Sequence, residues 1–388
     1  MYAVFKIFIR LALWLFCRRV TVSDKAVLNA EAPLLLAANH PNSFLDAIII
    51  GSLFKRPVHI LARGDVFRYP LVAKLLRALK LIPIYRLSEG REYLALNDVT
   101  FEQCHHILEQ GGIILIFAEG LCKNDWNLRP LKKGTARIAL HAWSNENLRE
   151  YLQIIPVGIS YNSFRHFGKK IVIHFSKPIA NKDLPGFKTE GENINWLNDL
   201  LSARLAESIL QVEKTDTKAL QFLISNHPEF VTTNAQLIIA LQNKLKVDLQ
   251  FNFLKIMQEP YFILKSNLQM FWQVFLLILT LPVVILSFFL NLPLYLVLKR
   301  FAAKKTEGTV FYDSVLFAML LLLYPLWWLI CLISIWLLAK DTVLLIIAFA
   351  MPLLAWVHIW WKQTFQACRN YQALGMKEKR ELNELLAS

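Results

Sequence analysis

Cysteine is scarce in this chain: there are five in 388 residues, at positions 17, 104, 122, 331 and 368, with no paired spacing. That excludes a disulfide framework and a zinc knuckle, and fits free thiols on the reducing side of a membrane. No Gly-x-Ser-x-Gly turn occurs, so the nucleophile elbow of a serine hydrolase is missing. Zinc-finger, basic-repeat and RNA-recognition patterns are absent too, which argues against nucleic acid as a partner. Acidic residues are few: 29 against 43 lysines and arginines, for a formal net charge of +14. Such a balance suits an anionic lipid surface or an anionic substrate. Between Phe271 and Trp361 charge of either sign nearly vanishes outside two short loops.

What remains is apolar, at 55% of residues. Three C-terminal runs stand out: Phe271–Leu298, Val315–Ala339 and Thr342–Trp361. The last two are long enough to cross a hydrocarbon core of about 30 Å. Pro282, Asn291 and Pro293 interrupt the first. Lys299, Arg300, Lys304 and Lys305 follow it, and Lys362, Arg369, Lys377, Lys379 and Arg380 follow the last. The positive-inside bias assigns both clusters to the cytoplasm. With a catalytic domain on that face, the first run is expected to be a hairpin, followed by two full spans. At the other end, Met1 to Phe16 is apolar but short, carries Lys6 and Arg10, and precedes Arg18-Arg19. That charge order is wrong for a cleaved signal, so an anchoring helix at the interface is expected.

From Pro33 to Ile179 strand-like runs alternate with helix-like stretches. The strand candidates are Leu34–Ala38, Val58–Ala62, Leu81–Tyr85, Ile113–Phe117, Ile154–Ile159 and Ile171–Phe175. Helix candidates are Phe44–Phe54, Tyr69–Leu79, Glu92–Glu109 and Thr135–Asn145. The alternation predicts an α/β fold, a mixed sheet flanked by helices. Four regions follow: an anchoring helix (1–20), a catalytic domain (21–190), a helical connector (191–265), and a transmembrane region with a short basic tail (266–388).

The chemistry concentrates in Asn39-His40-Pro41-Asn42-Ser43-Phe44-Leu45-Asp46, directly after a strand. An imidazole takes a proton from a hydroxyl, and a carboxylate on its other nitrogen fixes the tautomer and steadies the imidazolium. Pro41 keeps the start of the segment out of the helix, so the turn can bring His40 over Asp46. This segment resembles the glycerophospholipid acyltransferase family, whose hallmark is a histidine and an aspartate with four residues between them; here five lie between. Three further blocks carry the resemblance: Leu81-Ile82-Pro83-Ile84-Tyr85-Arg86, Ile116-Phe117-Ala118-Glu119-Gly120 and Ile155-Pro156-Val157-Gly158-Ile159. Lys80 stands where the family has glycine, Ala118 where it has proline, and Leu121 where it has a small hydroxyl residue.

The resemblance implies His40 and Asp46 as the catalytic pair and Arg86 as the grip on an acceptor phosphate. Glu119, Gly120, Lys132 and Lys133 are implied around the same anion, beside a helix beginning at Gly134-Thr135. The expected reaction moves a fatty acyl group from acyl-CoA or acyl carrier protein to lysophosphatidic acid, within phospholipid biosynthesis. The longer spacing leans toward glycerol 3-phosphate as the alternative acceptor. A non-catalytic lipid-binding or transport protein is the other class. Neither metal nor cofactor is expected, because His105, His106 and His141 lack ligand spacing. The partners implied are membrane lipid, the thioester donor and the phosphorylated acceptor, with the catalytic domain on the cytoplasmic face.

Overall fold

A computed structural model describes residues 2–86, 90, 92, 95–125, 127–161, 164–165, 167–186, 189–209, 266–338, 340–372 and 376. The connector expected at 191–265 lies outside the described residues from 210 onward. The chain divides into two compact units: Met1–Ile9, Thr21–Ser160 and Val172–Gln211 form one, and Arg10–Val20, Tyr161–Ile171 and Val212–Ser388 the other.

Eight strands are described: β1 (Cys17–Val22), β2 (Leu34–Ala38), β3 (Val58–Arg63), β4 (Leu81–Ile84), β5 (Ile113–Phe117), β6 (Gln153–Tyr161), β7 (Lys169–Phe175) and β8 (Ile179–Ala180). Their order is β1-β7-β6-β2-β5-β3-β4, with β8 on β6. The centre is parallel: β2 pairs with both β5 and β6, and β3 with both β5 and β4. β8 runs antiparallel to β6, which makes the sheet mixed. Parallel strands covered on both faces read as unbroken apolar runs. Every residue of β2 is buried, as are Ile113 to Ile116 of β5. Helices cover the sheet: α2 (Phe44–Leu53), α3 (Pro70–Ala78), α4 (Leu96–Glu109), α5 (Gly134–Trp143), α6 (Glu146–Tyr151) and α7 (Glu190–Ser208).

Two side chains pin the strand ends. Arg56, just ahead of β3, donates to the carbonyls of Glu31, Ala30, Ala32 and Gly111, so one guanidinium ties together the loops that enter β2 and β5. Asn39 grips Ile159 from both sides, accepting its N–H at 2.7 Å and donating to its carbonyl at 3.0 Å. Lys80, before β4, has φ 66°. Left-handed backbone costs an L-residue about 1 kcal/mol, and glycine pays no such penalty. Lys80→Gly is therefore expected to stabilise the fold by about 0.5–1 kcal/mol. A fall in Tm would show that the lysine side chain contributes more than the turn gains.

The N-terminal helix α1 (Tyr2–Phe16) has 15 residues, and Ile7, Phe8, Leu11 and Trp14 are exposed on it. At 1.5 Å per residue it reaches about 22 Å, short of a bilayer core. Chain past Phe16 enters the sheet at once as β1, which sequence reading did not foresee.

The second unit carries α8 (Asn267–Lys305), α9 (Tyr312–Leu338), α10 (Thr342–Phe349) and α11 (Met351–Gln372). Two of these, α8 and α9, are long and apolar enough to cross a membrane. The hairpin expected at 271–298 is not there: α8 runs through Pro282 and Pro293 as one helix of 39 residues. Proline frees helix carbonyls, which in lipid need partners from side chains or neighbouring helices. In α8 side-chain donors reach carbonyls next to the freed ones, those of Ile278 and Phe289. Trp361 donates its indole N–H to Leu277 O at 2.9 Å and Trp327 to Leu290 O at 3.0 Å, while the Thr280 hydroxyl donates to Leu276 O at 2.7 Å. The third expected span falls on α10 and α11, which together are long and apolar enough for a crossing but meet at a 59° bend, with Pro352 entering α11 just after it. A helix that crosses once has its ends on opposite faces, so a crossing α8 would part Asn267 from Lys305, and the basic cluster after it would not argue for the catalytic side.

Candidate active site

All the expected groups of the first unit follow the carboxyl ends of parallel strands, the edge where open α/β sheets place their ligands. β2 delivers His40, β5 delivers Glu119 and Gly120, and β4 delivers Arg86. His40 Nδ1 lies 2.9 Å from Asp46 Oδ2, the aspartate fully buried and the histidine side chain 12% exposed. A carboxylate only accepts, so Nδ1 carries the proton and Nε2 is left as the basic nitrogen. The same oxygen takes the Asn42 N–H at 2.8 Å, and the imidazole stacks on Phe117 with centroids 3.7 Å apart. Its rotamer is thus held on two sides.

A straight helix from residue 40 would set the pair apart around the axis. The segment avoids this by breaking at Ser43, whose φ is 53°, before α2 begins. Ser43 N–H is satisfied by the Cys122 sulfur at 2.8 Å, and Asn124 donates to Pro41 O at 2.8 Å. Burial pushes the Cys122 thiol up to about 12, and the neighbouring Asp46 charge adds to the shift. Cys122 is a fixed neutral acceptor there. No sequence signal marked Cys122 or Asn124 for this duty.

Glu119 is buried, and both its oxygens are engaged. Oε2 takes Arg129 Nε at 2.6 Å, and Oε1 receives the His40 N–H at 3.4 Å. Burial raises the Glu119 carboxyl above its usual range, with Arg129 pulling the other way. Glu119 therefore braces the His40 turn from below, and Arg129 is the cation that makes its burial tolerable. Gly120 has φ 69°, and a Cβ there would fall 2.8 Å from Lys132 Cγ. Its N–H donates to Phe117 O at 3.0 Å, which leaves that amide engaged within the turn. Lys132 and Lys133 are exposed at the start of α5, with Lys132 N–H tied to Ala118 O at 2.8 Å.

Arg86 is half-buried beyond β4. Asn97 fastens that strand end, accepting the Tyr85 N–H and donating to Tyr85 O, each at 2.9 Å. β4 is three places from β2, about 14 Å at the usual strand spacing. Among the described residues no group of three or more His, Cys, Asp or Glu is placed to hold a metal.

Residues 19–160 match the family model described as Acyltransferase. That stretch is similar to the acyltransferase domain of the family. A 1-acyl-sn-glycerol-3-phosphate acyltransferase from Cocos nucifera is 23% identical over 212 residues, 53% of this chain and 62% of that one. One of the same name from Borreliella burgdorferi is 26% identical over 166 residues, 43% of this chain and 60% of that one. The chain spans about half to three-fifths the length of the curated relatives it matches. The crystal structure of the 1-acyl-sn-glycerophosphate acyltransferase PlsC from Thermotoga maritima overlaps at 19% identity and a TM-score of 0.38. It covers 53% of this chain and 78% of that one. The match ends at the carboxyl end of β6 and takes in the strands that lead to His40, Arg86 and Glu119.

Proposed function

We propose that the chain transfers a fatty acyl group from a thioester donor to the free hydroxyl of lysophosphatidic acid, with the His40–Asp46 pair as general base. The observation that carries this reading is the 2.9 Å contact from His40 Nδ1 to a fully buried carboxylate, at the carboxyl edge of a sheet in the stretch similar to the family's acyltransferase domain. His40 Nε2 removes the hydroxyl proton as that oxygen attacks the thioester carbon. Collapse of the tetrahedral intermediate breaks the carbon–sulfur bond, and the imidazolium returns the proton to the leaving thiolate. Asp46 holds the tautomer and balances the charge that appears on the ring. Arg86 grips the acceptor phosphate, a task for a planar and permanently charged fork, and Lys132 and Lys133 add positive potential. Glu119 and Gly120 shape this pocket. Acyl-CoA or acyl carrier protein supplies the thioester, and we place the catalytic unit on the cytoplasmic face, where such donors occur.

Glycerol 3-phosphate is the second acceptor to test, on the five residues between His40 and Asp46. Purified chain offered lysophosphatidate, glycerol 3-phosphate and an unphosphorylated monoacylglycerol with each donor distinguishes these. The reading expects turnover of lysophosphatidate and little of the uncharged acceptor; equal turnover of all three would overturn it. Arg86→Ala is expected to raise KM for the phosphorylated acceptor by ten- to a hundredfold, the value of a charge-assisted pair of about 1.5–3 kcal/mol. Arg86→Lys is expected to restore only part, since the fork is lost. An unchanged KM would remove Arg86 from the pocket.

A further inference from the structure

Away from the catalytic groups, the first unit exposes an apolar surface on α3 and the turn before it. A helix on a globular domain normally turns its apolar stripe to the core. On α3 only Ala73 is buried, whereas Leu71 is 86% exposed and Leu75 58%. These two lie one turn apart on one face, with Val72 exposed beside them. Tyr69 and Val66, just ahead of the helix, are 72% and 41% exposed. The rim is cationic: Lys74 and Arg77 are exposed on the helix, and Lys80 follows half-exposed. From Lys55 to Arg86 the sequence holds one acid, Asp65, which Arg63 binds through Nε at 3.1 Å.

Bulky apolar side chains ringed by lysine and arginine match an anionic bilayer interface, where apolar groups enter among the headgroups and cations meet the phosphates. Tyrosine favours that depth as well. Placement in the fold agrees. β3 ends on the same edge as β2 and β4, so the turn at Gly64 stands on the side that bears His40 and Arg86. Gly64 lies hard against Tyr85, for a Cβ there would fall 2.2 Å from its ring. The surface is thereby fixed to the strand end that carries Arg86. Phe44 and Leu121, beside the catalytic turn, are also exposed. Two helices of the same chain are apolar enough to cross a membrane, which keeps the bilayer at high effective concentration.

We propose that α3 and the preceding turn dock into an anionic lipid interface, with Tyr69, Leu71 and Leu75 inserted among the headgroups and Lys74 and Arg77 on their phosphates. The docking delivers a lipid acceptor to His40 from the bilayer side, and this last clause alone rests on the acyltransferase reading. A fluorescent amino acid incorporated at position 71 of the full chain tests it, reconstituted in phosphatidylcholine vesicles with or without phosphatidylglycerol. With phosphatidylglycerol present, brominated lipid is expected to quench the probe more than twofold and aqueous iodide hardly at all. Lys74→Glu with Arg77→Glu is expected to reverse that order. Quenching by iodide and not by bromolipid would overturn the proposal. So would protection that appears only on adding an acidic carrier protein, since the occupant is then a protein. The Leu71→Asp, Leu75→Asp double variant is expected to lose at least fivefold in transfer to vesicle-borne acceptor and to keep its rate on detergent-dispersed acceptor. The depth reading needs no turnover, so an inactive chain would sink the acyltransferase reading and leave the docking to stand or fall on the quenching alone.

Discussion

Asp46→Asn is expected to lower kcat for acyl transfer by about 10²–10⁴-fold, the range set by general-base catalysis and by loss of its orienting acid. The aspartate oxygen holds two protons in place, on His40 Nδ1 at 2.9 Å and on the Asn42 amide at 2.8 Å. An asparagine keeps the shape and one acceptor oxygen. If its oxygen takes the Oδ2 place, both protons are still accepted but the charge that balances the imidazolium is gone; if its NH₂ does, a donor faces the imidazole and demands a lone pair on Nδ1. The proton then moves to Nε2, and the base becomes a donor. KM for the acceptor is expected to shift little, because Arg86, the proposed phosphate grip, follows another strand. Steady-state kinetics with matched Tm values checks this. A kcat within fivefold of the parent would mean that Asp46 is a structural cap and no more.

The second large effect lies in the other unit. Lys169 Nζ and Asp313 Oδ2 are 2.6 Å apart with side chains 0% and 1% exposed. The same carboxylate oxygen takes the Arg165 N–H at 2.9 Å, and the ammonium sits 5.3 Å from the Phe16 ring centroid. Removing one member of such a pair strands a buried charge, which costs about 3–5 kcal/mol. Replacing both with apolar residues of similar size is often neutral, apart from roughly 1 kcal/mol for the Arg165 amide left without its acceptor. Lys169→Met and Asp313→Leu are each expected to destabilise severely, and the double variant to recover most of the loss. Thermal unfolding in detergent measures it. Additive losses in the double variant would show that the two charges do not depend on each other.

The central sheet was legible because its strands are buried on both faces. β2 and β5 occupy the very ranges their apolar runs predict, Leu34–Ala38 and Ile113–Phe117. β1 was not, since Cys17–Val22 includes Arg18 and Arg19 and sits at the sheet edge, where it reads as a basic flank. The His40–Asp46 pair was readable as residue types in a strand-to-helix turn, but its geometry depends on Ser43 at positive φ, a conformation its side chain does not announce. Arg129 reaches Glu119 across ten residues of loop, and Cys122 serves a backbone amide; neither contact has a periodicity to betray it. Pro282 and Pro293 left one tilted span or a hairpin open, and the positive-inside bias chose the hairpin. In α8 the Trp327 and Trp361 indoles meet carbonyls near those prolines, and the helix continues.

The most direct test is transfer of a radiolabelled acyl group by His40→Ala, set beside the parent protein at equal Tm. If Nε2 of that ring is the base, label in the esterified product falls by at least about a thousandfold. Product formed at the parent rate would mean that the proton leaves by another route, and that the buried carboxylate beside His40 serves the fold alone.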